Sequence, residues 1–541
     1  MPGRWYRNAV IYSVDVRLFQ DSDGDGIGDF PGLTDRLDYL SRLGVNTIWL
    51  NPVHPSPGVD GGYDIVDYYA IDPCLGDLGD FALFLAEADE RGLRVLMDLV
   101  VNHTSDQHPW FRAAREDPAS EYRDWYVWSE TEPPDRWSGQ VFPGVEKETW
   151  TFDERAGAWY RHRFYRTEPD LNTDNPAVRR EIGKIAEFWL RLGVAGFRID
   201  AAPFLIETGR QRRPDYRFLR DLRERVSWRT GDAVLLAEAN VADAELLEYF
   251  GSADGTSSRT TMLFAFRLNQ AMMLALARRD PQPIRDTLAA LPDLPDHAQW
   301  ATFLRNHDEV DLGGLSDSER ADVFAEFGPE PDMQLYDRGI RRRLAPMLGG
   351  DRRRIELAYS LQLTMAGTPV LRYGDEIGMG EDLRLPERRA IRTPMQWDGG
   401  PGAGFSGAPA ERVITPVIDV GDYGYQHVNV TDQRLDETSM LSWFERILHT
   451  LRECPEIGAG EHEVLTTGQP GVLVHRADLD DTTTVFLHNL DDVPCCLDLH
   501  DSLTGRHRPL NLFGDSDYGR DIDLGALALN GYGYRWIRLT R

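Results

Sequence analysis

Lysine is nearly missing from this 541-residue chain, which carries only Lys147 and Lys184 and draws the rest of its 59 basic residues from arginine. That bias fits a GC-rich genome and names no function. Cysteine is scarce too. Cys74, Cys454, Cys495 and Cys496 show no metal-ligand spacing, and two are adjacent, which suits few disulfide geometries. Free thiols in a reducing cytoplasm are the expectation. No signal-peptide core follows Met1–Asn8, and no apolar run nears ~18 residues, so neither export nor a membrane span is expected. Basic charge is outweighed by 89 acidic residues, for a net charge of −30. Such a surface repels phosphate backbones and anionic lipid, which excludes nucleic acid and membranes as expected partners. Internal repeats and low-complexity segments are also lacking.

What is present is length and aromatic side chains. The chain is too long for one compact core and suits a large domain with satellites. Fourteen Trp, 20 Tyr and 22 Phe fit either a large core or a sugar-binding cleft. Short apolar runs recur at Val10–Val16, Thr47–Leu50, Val95–Val100, Gly196–Ile199, Val234–Ala237, Thr261–Phe264, Trp300–Phe303 and Pro369–Tyr373. Helical patterns lie between them, including Leu33–Leu43, Asp80–Arg91, Arg179–Leu192 and Arg354–Met365. Eight alternations of strand and helix predict an α/β fold, a (β/α)₈ TIM barrel with a parallel sheet. The sixth strand is the weakest of the eight. Residues 104–172, rich in Trp, Tyr, Pro and charge, predict a subdomain inserted after strand 3. It divides the barrel into residues 1–103 and 173–455. Short β-like runs from 456 to 541 predict a separate C-terminal all-β domain, a β-sandwich.

Active-site residues of such a barrel sit at the C-terminal ends of its strands. Here those ends read Asp98-Leu-Val-Val-Asn-His103, Gly196-Phe-Arg-Ile-Asp200, Leu236-Ala-Glu-Ala-Asn240 and Phe303-Leu-Arg-Asn-His-Asp308. Each alone has an ordinary explanation, such as a helix cap or a structural histidine. Four in order do not.

A second constellation is Asp21-Ser-Asp-Gly-Asp-Gly-Ile-Gly-Asp29. It sets oxygen ligands at alternate positions with glycines for the tight turn, in the manner of an EF-hand loop without its helices. Asp21, Asp23, Asp25 and Asp29, with the Ile27 carbonyl, are the expected ligands of a structural Ca²⁺ or Mg²⁺. An acidic turn capped by its own side chains is the alternative.

The four strand ends, with Glu168-Pro-Asp-Leu-Asn172 and Arg392-Thr-Pro-Met-Gln-Trp397, resemble glycoside hydrolase family 13, the α-amylase family. The resemblance runs over essentially the whole chain and is nearest the trehalose synthase subfamily. Asn102–Phe111, Phe303–Glu309, Gly339–Pro346 and Tyr373–Gly380 carry it most clearly. It implies a retaining enzyme acting on small α-glucosides of the maltose, trehalose or sucrose type, by exo-acting hydrolysis, transglucosylation or both. Strict maltose–trehalose isomerisation is one alternative, and a catalytically inactive binding or partner subunit is another. The inactive members typically lose catalytic carboxylates and carry a membrane span, unlike this chain.

The resemblance implies Asp200 as nucleophile, Glu238 as general acid/base and Asp308 as the third carboxylate, gripping sugar hydroxyls. The chemistry needs the first two ~5–5.5 Å apart. Arg198, on the same side of the strand as Asp200, is expected to keep it ionised. Glu238 needs an apolar or anionic surround to stay protonated. His103 and His307 resemble hydroxyl-binding histidines, Tyr63 the ring on which the sugar stacks, and Asp60 with Arg392 a pair closing the far end of the pocket. A second Ca²⁺, bridging the inserted subdomain to the barrel, is implied at Asn102, Asp170, Glu207 and the carbonyls of Phe204 and Leu205. No organic cofactor is implied. A homo-oligomer is compatible with the resemblance.

Two segments and one residue depart from trehalose synthases. The loop between Asp200 and Pro214 is shorter, Val241–Asn269 lacks the usual run of aromatics and acids, and Glu168 replaces a usual Gln. The donor-sugar pocket is thus expected intact and the acceptor side rebuilt.

Overall fold

The computed structural model describes residues 4–208, 213–252, 257–503 and 508–540. Eight parallel strands close into a barrel. In chain order they are β1 (Ile11–Val14), β2 (Thr47–Leu50), β3 (Arg94–Leu99), β4 (Gly196–Ile199), β5 (Val234–Ala237), β6 (Met262–Phe264), β7 (Gln299–Thr302) and β8 (Thr368–Arg372). Each pairs with its chain neighbours, and β8 returns to β1 through Ile11–Val370. The expected strands stand within one or two residues, the sixth included. The first ends early because the Asp15 side chain accepts from the Arg17 N–H and caps a short 3-10 turn.

Nearly every strand residue is buried, as expected for a parallel sheet covered on both faces. Alternation decides which way each points. Ile11, Trp49, Leu96, Val234, Leu236, Met262, Phe264, Ala301 and Val370 fill the barrel interior. Their neighbours meet the surrounding helices in one continuous core. Gly196 opens β4 because a Cβ there would lie 2.2 Å from the carbonyl oxygen of Val234.

The helices are cut by local chemistry. Pro176–Leu192 starts where the Asn175 side chain accepts from the Ala177 N–H and a proline takes the first turn. It stops at Gly193, whose φ of 119° favours glycine. The expected helix Leu33–Leu43 is two, Phe30–Asp35 and Leu37–Leu43, broken at Arg36.

Between β3 and β4, residues 104–172 form the helix Pro109–Glu116 and a three-stranded antiparallel sheet of Trp128–Ser129, Ala158–Arg161 and Trp150–Asp153. Phe111 packs against Tyr126, Trp128 and Tyr160, so much of the aromatic surplus is core. A bridge from His103 to Asp170 fastens this segment to the β3 end, and one from Tyr126 to Leu171 closes it on itself.

After the helices Met440–Arg452 and Pro455–Ala459, the described residues form strands and loops apart from the 3-10 turn Asp501–Leu503. Strands Glu461–Leu465, Val472–Leu479, Thr482–Asn489, Tyr534–Thr540 and Arg508–Gly514 form one antiparallel sheet in that order, and Cys495–Leu497 pairs with Leu527–Leu529. One face docks on the helix Arg352–Thr364, where Trp536 Nε1 donates to Ser360 Oγ at 2.9 Å. All four cysteines are free. Among the described residues no helix is long and apolar enough to cross a membrane.

Candidate active site

Asp98, Arg198 and Glu238 continue the inward-facing series of β3, β4 and β5, two positions beyond Leu96, Gly196 and Leu236. Asp200 follows on the same side as Arg198. They converge on one guanidinium. Arg198 donates to Asp200 at 2.5 Å, to Glu238 at 2.5 Å and to Asp98 at 3.2 Å. The turn after Asp200 is strained: Ala201 has φ of 47°. The Ala201 N–H donates to Glu238 Oε2 at 3.2 Å. The Asp200 side chain is 9% exposed and that of Glu238 27%, so Glu238 faces the open side of the site.

Burial dominates both carboxyls. It raises Asp200 to about 6 against the pull of Arg198, with Asp98 and Asp308 adding to the rise. It raises Glu238 to about 7, again opposed by Arg198, with Asp200 and Asp308 repelling its charged form. Burial favours the acid form of both groups, and Arg198 opposes the rise in each. Arg198 moderates a rise caused by burial without reversing it.

Asp308 has the opposite surround. Burial would raise it, but the guanidiniums of Arg388 at 2.8 Å and Arg392 at 2.7 Å, with a hydrogen bond from the His307 ring at 3.0 Å, hold it well below the usual carboxylate range. His307 stays neutral, pushed down to about 3 by burial despite Asp308. Its Nε2 also meets the Tyr63 hydroxyl at 2.7 Å, and the two rings lie parallel with centroids 5.5 Å apart. Tyr63 Oη donates to Asp98 at 2.8 Å. His103 packs beside Phe164 and meets the Tyr63 carbonyl at 3.3 Å.

The structure thus brings together Asp60, Tyr63, His103, Arg198, Asp200, Glu238, His307, Asp308 and Arg392. It adds two residues given no role above. Asp98 anchors Tyr63 and Arg198. Arg388 donates to Asp60 at 2.7 Å, whereas Arg392 stands 3.6 Å from the same oxygen. Arg388 also lies under the Phe142 ring, 4.5 Å from its centroid. Glu387, beside it, accepts from the hydroxyls of Tyr165 and Tyr336. Asp60, Arg388, Asp308 and Arg392 form one alternating charge cluster.

Glu168, standing for a usual Gln, is fully buried. Burial and the nearby Asp60 and Asp64 push its acid form far up. A neutral carboxylic acid offers one donor and one acceptor, much as an amide does.

The match to the α-amylase catalytic domain covers residues 13–325 and 340–459. The chain belongs to the α-amylase family. Within this α-amylase-family fold, it is 41% identical over 544 residues to the trehalose synthase/amylase TreS of Mycobacterium tuberculosis, spanning 99% of this chain and 90% of that protein. It is 42% identical to the trehalose synthase of Thermus thermophilus over 99% of its own length but 55% of that protein's. The trehalulose synthase MutB of Pseudomonas mesoacidophila MX-45 superposes with a TM-score of 0.79 at 26% identity, covering 99% of both chains. A MutB variant has been solved with its substrate sucrose. The chain is accordingly an α-amylase-family enzyme of trehalose-synthase-like sequence.

The two cation sets differ in how well they suit an ion. In the first, one carboxylate oxygen each from Asp21, Asp23 and Asp29 lies within 4.8 Å of the others. Asp25 is turned to the Ile27 N–H at 2.7 Å and is not part of that group. The second set gathers at the junction of insert and barrel. Asn102 lies 3.5 Å from Asp170, and the Leu205 carbonyl accepts from Thr173. Arg163, over the Phe204 ring, pairs with Glu207 and stands 3.5 Å from Asp170. A guanidinium already neutralises those two carboxylates, so the first set suits a divalent cation better.

Proposed function

We propose that this is a retaining, exo-acting α-glucosyl enzyme for small α-glucosides of the maltose, trehalose or sucrose type. The observation that carries it is Arg198 holding Asp200 and Glu238 on one guanidinium, beside the closed cluster of Asp60, Arg388, Asp308 and Arg392. Asp200 attacks the anomeric carbon while Glu238 protonates the departing oxygen, leaving a β-glucosyl ester on Asp200. Glu238, now a carboxylate, takes the proton from water or an acceptor hydroxyl as that oxygen displaces the ester. Asp308 stays ionised throughout, able to accept two sugar hydroxyls. His103 and His307 are neutral and so can both donate and accept. A donor site closed by this charge cluster takes one glucosyl unit from a non-reducing end.

The relatives support the substrate class. TreS carries the name trehalose synthase/amylase, and MutB was solved with sucrose. Isomerisation of maltose to trehalose is the second reading, favoured by 41% identity to TreS along 99% of the chain. Asp21, Asp23 and Asp29 are the proposed holders of a structural Ca²⁺ or Mg²⁺, remote from the reacting carboxylates in role.

The test incubates the protein separately with maltose, trehalose, sucrose and starch, then profiles products. Glucose or a glucosyl-transfer product from the small substrates is expected. Maltose turned to trehalose without free glucose would favour isomerisation. Rapid loss of starch–iodine colour with little glucose would refute the closed pocket.

A further inference from the structure

A cavity of about 510 Å³ opens between the loops that follow Glu238 and Asp308. Its walls continue the two reacting loops. Asn240 stands two residues after Glu238, and Asp311 three residues after Asp308. Asp311 ties the walls together. One of its oxygens accepts from Asn240 Nδ2 at 3.2 Å and lies 3.5 Å from Arg338 Nε, while the other accepts from the Gly313 N–H at 2.7 Å. Arg338 in turn donates to the Val141 carbonyl of the inserted segment at 3.0 Å. Across the cavity Arg267 is paired with Asp243 at 3.3 Å and donates to the Gly314 carbonyl.

Each guanidinium lining this space is therefore already matched by a carboxylate. Glu309 stands 3.9 Å behind Arg338, so positive charge is not in excess. An anionic ligand would face Asp311 and Asp243 with no free cation among the lining residues to offset them. A polyhydroxylated neutral molecule fits better, because each hydroxyl both donates and accepts and can join the Asn240–Asp311 and Arg338–Asp311 pairs.

We propose that Asp311 is the residue that selects the acceptor, and that the acceptor class is a neutral sugar. This rests on the glucosyl-transfer reading above. In the step it serves, the acceptor oxygen bonds to the anomeric carbon, the bond from that carbon to Asp200 breaks, and the acceptor proton passes to Glu238. Asp311 touches only the acceptor, through its carboxylate and the two groups it holds.

The experiment uses p-nitrophenyl α-glucoside as donor with glucose, glucose 6-phosphate or no acceptor. Released p-nitrophenol counts every glucosyl unit taken, and free glucose formed from the donor, labelled to distinguish it from added acceptor, counts hydrolysis. With the wild type, glucose should divert more units to transfer than glucose 6-phosphate does. Asp311→Ala should lower the transfer-to-hydrolysis ratio with glucose by about tenfold, the scale of one lost hydrogen bond to a charged group. Asn240→Ala should lower it less, and Asp311→Asn should recover part of it. An Asp311→Ala enzyme that still releases p-nitrophenol with wild-type partitioning overturns the acceptor role alone, as does glucose 6-phosphate proving the better acceptor. No p-nitrophenol from the wild type overturns the glucosidase reading and this inference with it.

Discussion

Asp60 receives its short hydrogen bond from Arg388, at 2.7 Å. The bond matters because Arg388 spans to Asp308 as well, at 2.8 Å, through a different nitrogen of the same planar fork. Arg388→Ala should leave two buried carboxylates short of a cation, at a cost of about 3–5 kcal/mol. The expected outcome is a loss of roughly a hundredfold or more in kcat/KM on maltose. Arg388→Lys should rescue little, since an ammonium is a point charge without the fork. Wild-type kcat/KM in Arg388→Ala would remove this residue from the donor site.

The pH profile follows from the two central carboxyls. Asp200, raised to about 6, must be ionised to attack, so kcat/KM should fall as pH drops below about 6. Glu238, raised to about 7, must be protonated to donate, so the rate should fall again above about 7. A narrow bell results. With an activated aryl glucoside, Glu238→Gln should abolish the alkaline limb and keep the acid one. An alkaline limb unchanged in that variant would move the acid role elsewhere.

Replacing the nucleophile gives a coarser check. Asp200→Ala should lower turnover by several orders of magnitude, because no glucosyl ester can form. Trapping with a fluorinated glucosyl donor followed by peptide mass analysis should place the label on Asp200. A label on Asp98 or Asp308 would reassign the attack.

The C-terminal sheet should loosen in acid. His475 and His488 are buried with stacked rings 5.8 Å apart, against Thr364 and Ser360 of the helix Arg352–Thr364. Burial pushes His488 down to about 3 and His475 well below its ordinary value, so both stay neutral when folded. A depressed histidine costs nothing above its unfolded value near 6.5. Below that, only the unfolded chain takes the proton, and stability falls by about 1.4 kcal/mol per pH unit per histidine until the folded value is reached. His488→Gln should flatten the drop in Tm between pH 7 and pH 5. An equal drop in both proteins would show that the histidine is not its source.

Cation binding is checked by melting. At a hundredfold excess over Kd, calcium should stabilise the fold by about 2.7 kcal/mol. Asp23→Asn keeps an acceptor for the Asp25 N–H, which Asp23 Oδ1 now takes at 3.0 Å, but removes a charge. It should weaken the calcium-dependent rise in Tm. A wild type whose Tm ignores both calcium and chelator would leave the loop as a self-capped acidic turn.

The strand ends were legible because period-two alternation and barrel geometry together say which residues reach the rim. The same rule was available for Asp98, two positions past the inward-facing Leu96, yet the sequence alone assigned it no role. Arg388 was not legible. It lies in Glu387-Arg-Arg-Ala-Ile391, a 3-10 turn where Arg388 is buried and Arg389 exposed. Nothing in that local spacing says which arginine turns inward, since the choice is made by Asp60 and Phe142 from distant loops. Of the cavity around Asp311, only the wall from Val241 to Asp243 and Arg267 fell in a segment expected to differ from relatives. Its walls come from three loops whose meeting depends on tertiary contacts. The shortened segment after Glu207 includes Gly209–Arg212, which lie outside the described residues.

One guanidinium serving two carboxylates also constrains how such an enzyme can change. Any substitution that shifts Arg198 retunes Asp200 and Glu238 together, so neither half of the reaction can be adjusted alone. Variation that preserves activity is driven outward, to loops that never touch that arginine. Asn240, Asp311 and Arg338 occupy such loops, where a lineage could exchange one acceptor for another while the bond-breaking apparatus stayed fixed.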